Sequence, residues 1–257
     1  RVNDMVVFVP YCAPGDIVDV KLVKKKKNYA EGRVIALQKP GAIRVAPRCS
    51  HFTLCGGCRW QHLPYEYQLD CKQKQVKDAM ERIAKIKIPE ISPILGSENI
   101  WEYRNKMEYT FSNKKWLTYE QLASDEEFSD RDGAGFHIPG AFDKVLDIEC
   151  CFLQDDFGNR LRLFIKEFGK EHGYSFYDLR QQQGLLRTLM IRIASTGEIM
   201  ALMVFGEDDA DRIETLMSAV RSRFPEITSL LYVINTKVND TIGDQQVVRY
   251  DGREWIE

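Results

Sequence analysis

No apolar run in these 257 residues approaches the ~20 consecutive apolar residues that a membrane-spanning helix needs. No charged-then-apolar leader is present either, and the cysteine usage makes a reducing cytoplasm the expected setting. There is no Gly-x-Gly-x-x-Gly, so the glycine loop of a nucleotide-type cofactor site is missing from this stretch. No internal repeat and no low-complexity tract is present, which excludes solenoids and disordered tails. Cysteine is present but wrongly arranged for a secreted disulfide scaffold: seven residues, an odd number, bunched at metal-like spacing. What remains is an ordinary globular composition, 44% apolar and 29% charged, long enough for two modest domains.

The net charge of −2 conceals an asymmetry. Residues 1–115 carry 21 Lys and Arg against 12 Asp and Glu, whereas residues 116–257 carry 15 against 26. The basic half contains Lys24, Lys25, Lys26 and Lys27, then Arg44, Arg48 and Arg59, with Trp60 directly after. Cations for phosphates beside a ring that can stack on a base are the chemistry of nucleic-acid binding. A lysine run alone is as often the solvated tip of a hairpin.

Cys49-x5-Cys55-Gly56-Gly57-Cys58 places three thiols within ten residues around a glycine turn. Glycine accepts the positive φ of a tight reversal and leaves room for an inorganic guest, and the three sulfurs are expected to face a common centre. Three thiolates are one short of the four that iron–sulfur clusters and structural zinc take. Spacing alone favours Cys71 as the fourth; Cys150 and Cys151 lie far downstream, and His51 or His62 would suit zinc.

Residues 1–47 read as short strands joined by turns: Val2–Pro10, Ile17–Val23 and Ala30–Leu37, with Lys24–Tyr29 as a charged hairpin tip. This pattern suits a small OB-like barrel. The cysteine loop occupies 48–62. Residues 63–90 form a connecting helix over Pro64–Ile86, with an expected core stripe of Leu69, Val76, Ala79, Met80 and Ile83. From 91 to 257 the pattern is α+β. Strands are expected at 103–111, 145–148, 185–194, 198–205, 227–235 and 245–250, and helices at 154–172 and 208–224. Residues 120–135 read as an acidic loop. A compact sheet with helices on one side is the expected result.

The order barrel, Cys-x5-Cys-Gly-Gly-Cys-x-Trp-Gln-His, Lys/Gln-rich helix, Trp101-Glu-Tyr-Arg-Asn-Lys106, then Cys151-Phe-Leu-Gln154 resembles the RNA uridine-5-methyltransferases. The likeness is strongest to the 23S ribosomal RNA type, with an N-terminal TRAM barrel and a [4Fe–4S] cluster. It covers essentially the whole chain; the cysteine block and Tyr103-Arg-Asn-Lys106 are its specific parts. The resemblance implies that the fourth cluster ligand is Cys151 rather than Cys71, giving Cys49, Cys55, Cys58 and Cys151. It further implies S-adenosylmethionine as cofactor of the full-length parent, with a cysteine adding to C6 of uracil so that C5 can accept the methyl group.

The Rossmann-like methyltransferase domain that the family carries is absent from this chain, so no catalytic residue is expected within it. The chain would be the RNA-recognition and iron–sulfur portion of the enzyme, a cytoplasmic monomer that binds RNA, ribosomal RNA first, and no membrane. Trp60, Tyr103 and Arg104 join the cations as expected RNA contacts. Three other readings stay open: a zinc-dependent RNA-binding module, a relative acting on transfer RNA, and an iron–sulfur redox sensor.

Overall fold

The computed structural model describes residues 2–124 and 128–257 and divides into two compact units, Arg1–Ile100 and Trp101–Glu257. Three residues of the expected acidic loop, Asp125, Glu126 and Glu127, lie outside the described residues.

In the first unit β1 (Val6–Phe8), β2 (Ile17–Lys25) and β3 (Tyr29–Lys39) form a sheet of order β1-β3-β2. β2 and β3 are an antiparallel hairpin, and β1 lies parallel to β3. Among the described residues this is a three-stranded sheet, where three or four short strands of a partial OB-like barrel are expected. The hairpin tip is also shorter than expected. Lys24 and Lys25 end β2, opposite Glu31 and Ala30, and the turn closes by a hydrogen bond from Lys26 N to Tyr29 O of 2.8 Å.

Helix α1 (Tyr65–Asp78) follows the cysteine loop and ends in a π-helical turn, Ala79–Ile83. The expected core stripe does not form: no residue of either segment is buried, and Ile83 is 82% exposed. Lys72 and Gln73, three and four residues after Leu69, interrupt the stripe, and so narrow an apolar face commands little burial.

The second unit is a seven-stranded sheet of order β10-β9-β8-β7-β4-β5-β6. Its strands are β4 (Lys106–Ser112), β5 (Gly133–Ile138), β6 (Ala141–Asp147), β7 (Leu186–Ile193), β8 (Ile199–Phe205), β9 (Ser229–Ile234) and β10 (Val247–Gly252). β8 and β9 are parallel, joined through a helix; the other neighbours are antiparallel. The stretch expected as loop up to Gly135 contains the short helix α2 (Tyr119–Ala123) and the start of β5.

Helices α3 (Asp156–Glu171) and α4 (Ala210–Arg223) begin where carboxylates cap them: Asp155 accepts from Phe157 N and Asp209 from Arg212 N. Leu161 and Ile165 of α3 and Leu216, Met217 and Val220 of α4 meet Leu189, Ala201, Met203 and Leu230 of the sheet. The helices therefore cover one face, as the periodicity implied. Met190, Leu202, Val204, Leu231 and Val233 cluster with Ile242, from the segment between β9 and β10. Strand register pairs Met190 with Leu202, Leu202 with Leu231 and Val204 with Val233, so this cluster lies on the other face.

Arg162, fully buried on α3, ties three segments together. Its guanidinium donates to Ala134 O (3.0 Å) on β5 and to Glu149 O (2.9 Å), and lies 5.4 Å from the Tyr109 ring centroid. Arg162→Leu keeps an apolar stem but strands Glu149 O and leaves Ala134 O with only the 3.4 Å bond from Ile148 N, and should destabilise this unit by about 1–3 kcal/mol. Urea denaturation followed by tryptophan fluorescence measures this; a loss below about 1 kcal/mol would show that water replaces the fork without cost.

Candidate metal centre and nucleic-acid interface

The loop between β3 and α1 is wound by its own backbone. Phe52 N donates to Cys49 O, and Leu54 N and Cys55 N both donate to His51 O, while Gly56 sits at φ +74°. Gln61 anchors the loop's start, its Oε1 accepting from Cys49 N at 3.1 Å. Neighbouring amides act the other way from burial, those of His51 and Phe52 drawing the Cys49 pKa down and that of Gly57 the Cys55 pKa.

Burial pushes the Cys49 and Cys55 thiols up, and Cys58 pushes both in the same direction. The three sulfurs thus sense one another, yet among the described residues no three His, Cys, Asp or Glu side chains converge on a metal-sized centre. The expected common centre is not preassembled; neutral thiols have no Coulombic reason to gather until a cation replaces their protons. As a donor set they fit a thiophilic guest, three ligands strong. His62 is buried against Phe52, ring centroids 5.4 Å apart, with neither ring nitrogen hydrogen-bonded among the described residues. Burial lowers its pKa, so it behaves as a neutral core ring. Cys71 is half-buried on α1.

Cys151 lies in the second unit, in a segment held on both sides. Asn159 of α3 accepts from Cys151 N (2.8 Å) and donates to Cys151 O (3.1 Å) and Cys150 Sγ (3.3 Å). On the other side Glu102 N donates to Phe152 O and Arg104 N to Leu153 O, and the Trp101 and Phe152 rings meet edge to face. The two motifs Trp101–Lys106 and Cys151–Gln154 are therefore paired in space. Asn159 and Arg162, which organise them, escaped the sequence reading. The available signal was two polar residues within the apolar helix 154–172.

The candidate RNA contacts separate into groups. Lys25, Lys26 and Lys27 are exposed and make no ion pair among the described residues, whereas Lys24 pairs with Glu31 at 3.2 Å. Arg48 and Arg59 are exposed, and Trp60 is half-buried at the loop's end. Tyr103 (58% exposed) and Arg104 lie on the second unit before β4. Arg44 is spent on structure. Its guanidinium grips Asp16 through Nε and Nη2 and donates to Tyr11 O at 2.8 Å, and Asp16 also accepts from Ala13 N and Gly41 N. A cation so neutralised has little left for a phosphate.

Comparison with known proteins gives this geometry a context. A family profile described as the TRAM domain matches residues 1–35. The chain is 56% identical over 262 aligned residues to an uncharacterized RNA methyltransferase of Porphyromonas gingivalis, covering 100% of this chain and 56% of that protein. It is 50% identical to one of Bacteroides thetaiotaomicron, covering 99% and 57%. The chain thus spans about half the length of the curated relatives it matches. The crystal structure of Pyrococcus abyssi tRNA (uracil-54, C5)-methyltransferase with S-adenosyl-L-homocysteine shares the fold, with a TM-score of 0.64 at 23% identity, over 100% of this chain and 55% of that one.

The Arg44–Asp16 pair also predicts an acid sensitivity. The Arg44 guanidinium holds the Asp16 carboxyl well below the usual carboxylate range. With a depressed folded pKa, the stabilisation is complete above the unfolded value of about 3.9 and is lost as pH falls towards the folded one. Asp16→Asn should destabilise the first unit by about 3–5 kcal/mol at pH 7, because it leaves Arg44 unpaired. It should also remove part of the acid transition in denaturation curves taken between pH 7 and pH 2. An unchanged pH profile would mean that Asp16 is not the linked group.

Proposed function

We propose that this chain is the RNA-recognition portion of an S-adenosylmethionine-dependent RNA uridine C5-methyltransferase that acts on ribosomal RNA. The similarity along the whole chain to half of proteins designated RNA methyltransferases, together with the TRAM match, carries the reading. The share assigned to these residues is grip and placement; methyl transfer is assigned to the remaining length of such proteins. The target uracil must leave its stack to be methylated, at a cost of roughly a few kcal/mol, and binding to flanking nucleotides offsets that cost.

Lys25, Lys26 and Lys27 with Arg48 and Arg59 are the proposed phosphate contacts, and Trp60, Tyr103 and Arg104 the proposed stacking or polar contacts. Lys24 contributes less while Glu31 holds it, and Arg44 positions the turn rather than the RNA. Affinity for single-stranded or looped RNA should fall steeply with salt. Replacing Lys24–Lys27 by Gln should weaken binding to every sequence and flatten that slope, since phosphate contacts position without specifying. Filter binding between 50 and 300 mM salt decides it, and an unchanged slope would reduce these lysines to a solvated turn.

Cys49, Cys55, Cys58 and Cys151 are proposed to hold a [4Fe–4S] cluster, which would clip together segments 93 positions apart. Its supports are the tight backbone turn that carries Cys49, Cys55 and Cys58 and the two-sided anchoring of Cys151. After anaerobic reconstitution, iron analysis and visible absorption should show about four irons per chain. Cys151→Ala should lose the brown colour while Cys71→Ala keeps it. The reverse result would restore the local four-cysteine site, and stoichiometric zinc without iron would favour the zinc module instead.

A further inference from the structure

Cys150 and Cys151 stand side by side, and a four-ligand cluster that draws on Cys49, Cys55 and Cys58 has one place for the pair. Something local has to settle which sulfur is offered. One polar group touches both residues, the carboxamide of Asn159, buried on α3.

Asn159 holds the two cysteines in different ways. On Cys151 it grips the backbone: Oδ1 accepts from Cys151 N at 2.8 Å and Nδ2 donates to Cys151 O at 3.1 Å. With the N–H and C=O of one residue tied to one planar amide, the backbone on either side of the Cys151 Cα is fixed, and with it the direction in which Cβ leaves. On Cys150 it grips the side chain, Nδ2 donating to Sγ at 3.3 Å. The amide cannot be turned over, because exchanging its oxygen and nitrogen would set an NH2 group against Cys151 N–H. Its nitrogen has two hydrogens and a third acceptor nearby, Asp156 Oδ1 at 3.4 Å. That oxygen lies beyond ordinary N–H···O range, whereas 3.3 Å is close for the larger sulfur atom. One hydrogen therefore serves Cys151 O and the other Cys150 Sγ.

The clamp is itself anchored. Arg162, one turn further along α3, donates to Glu149 O, so residues 149–151 are fastened to the helix by two polar side chains. Beyond the cysteines, Glu102 N and Arg104 N hold Phe152 O and Leu153 O. A segment tied at so many points does not slide by one residue to exchange one cysteine for the other. To serve a metal in the place of Cys151, the Cys150 sulfur has to leave a buried donor and strand its N–H. Cys151 gives up no bond to Asn159 when its sulfur is taken, since those bonds are made by its backbone.

We infer that Asn159 is a positioning residue that presents Cys151 to the cluster and withholds Cys150. The inference rests on the cluster reading above and names what decides its fourth ligand.

Iron content and visible absorption after anaerobic reconstitution of the full chain test it. With Asn159 in place, Cys150→Ala should keep the cluster and Cys151→Ala should lose it, although a second thiol stands next door. Asn159→Leu removes the clamp, and the nearly isosteric Asn159→Asp keeps the acceptor for Cys151 N while turning the donor into an oxygen. Either change should release Cys150, so that Cys151→Ala combined with it regains the brown colour. The reduced wild-type cluster should give one electron paramagnetic resonance species, and either Asn159 variant two. A residue that merely steadied α3 would lower the urea midpoint without restoring a cluster to Cys151→Ala.

A cluster that survives Cys151→Ala while Asn159 is present would overturn the inference and leave the cluster reading standing. So would folded Asn159 variants in which Cys151→Ala stays colourless. Unfolding of both Asn159 variants would reduce Asn159 to a structural residue and overturn it as well. A wild-type chain that takes up no iron would remove the cluster reading and the inference together.

Discussion

A guanidinium buried in the second unit, Arg162, does what no apolar residue there could do. It is planar, permanently charged and forked, so it satisfies carbonyls of two separate segments at once from within an apolar helix face. Those carbonyls belong to β5 and to the residue before Cys150, and Asn159, one turn earlier on α3, fixes the cysteines themselves. The position of Cys151 therefore depends on α3 being seated on the sheet. The same device recurs in Arg187, which pins the chain that follows β9. Side-chain donors thus take up Glu149 O beside the cysteines and the carbonyls of the turn after β9, where regular pairing has ended.

The basic character of the first hundred residues changes meaning once partners are known. Arg44 stands among the RNA candidates by charge alone, but Asp16 takes its guanidinium and the pair fastens the Tyr11–Asp16 turn to the chain after β3. Lys24 is partly claimed by Glu31 across the hairpin. Lys25, Lys26 and Lys27, at and beside the turn, are exposed and make no ion pair among the described residues. Long-range attraction for an anion is strongest where no carboxylate lies close to such cations.

Long elements with one dominant period were legible. The β7–β8 hairpin around Ser195-Thr-Gly197 and helices α3 and α4 fall where alternation, turn chemistry and apolar spacing put them. The failures have physical causes. The stripe on α1 was read as core from spacing, though Lys72 and Gln73 break it and its residues stay exposed. The loop expected over 120–135 gives way to a strand at Gly133, and Gly135 within it lies against Leu146 O, where a Cβ would come within 2.1 Å. A glycine that marks close strand contact looks, in one dimension, like a glycine that marks a loop.

The sequence by itself determined the element types, the charge asymmetry and the cysteine loop, because each is written in contiguous residues whose spacing has a local physical consequence. It also supplied every side chain later found at work. Only the tertiary structure decided which cations are neutralised and that the Trp101–Arg104 and Cys151–Leu153 segments lie side by side. It alone decided that the loop sulfurs sense one another without converging, and that Arg187 braces the turn after β9. These are relations between residues tens of positions apart, set by which groups find partners when the chain closes, and no local period encodes them.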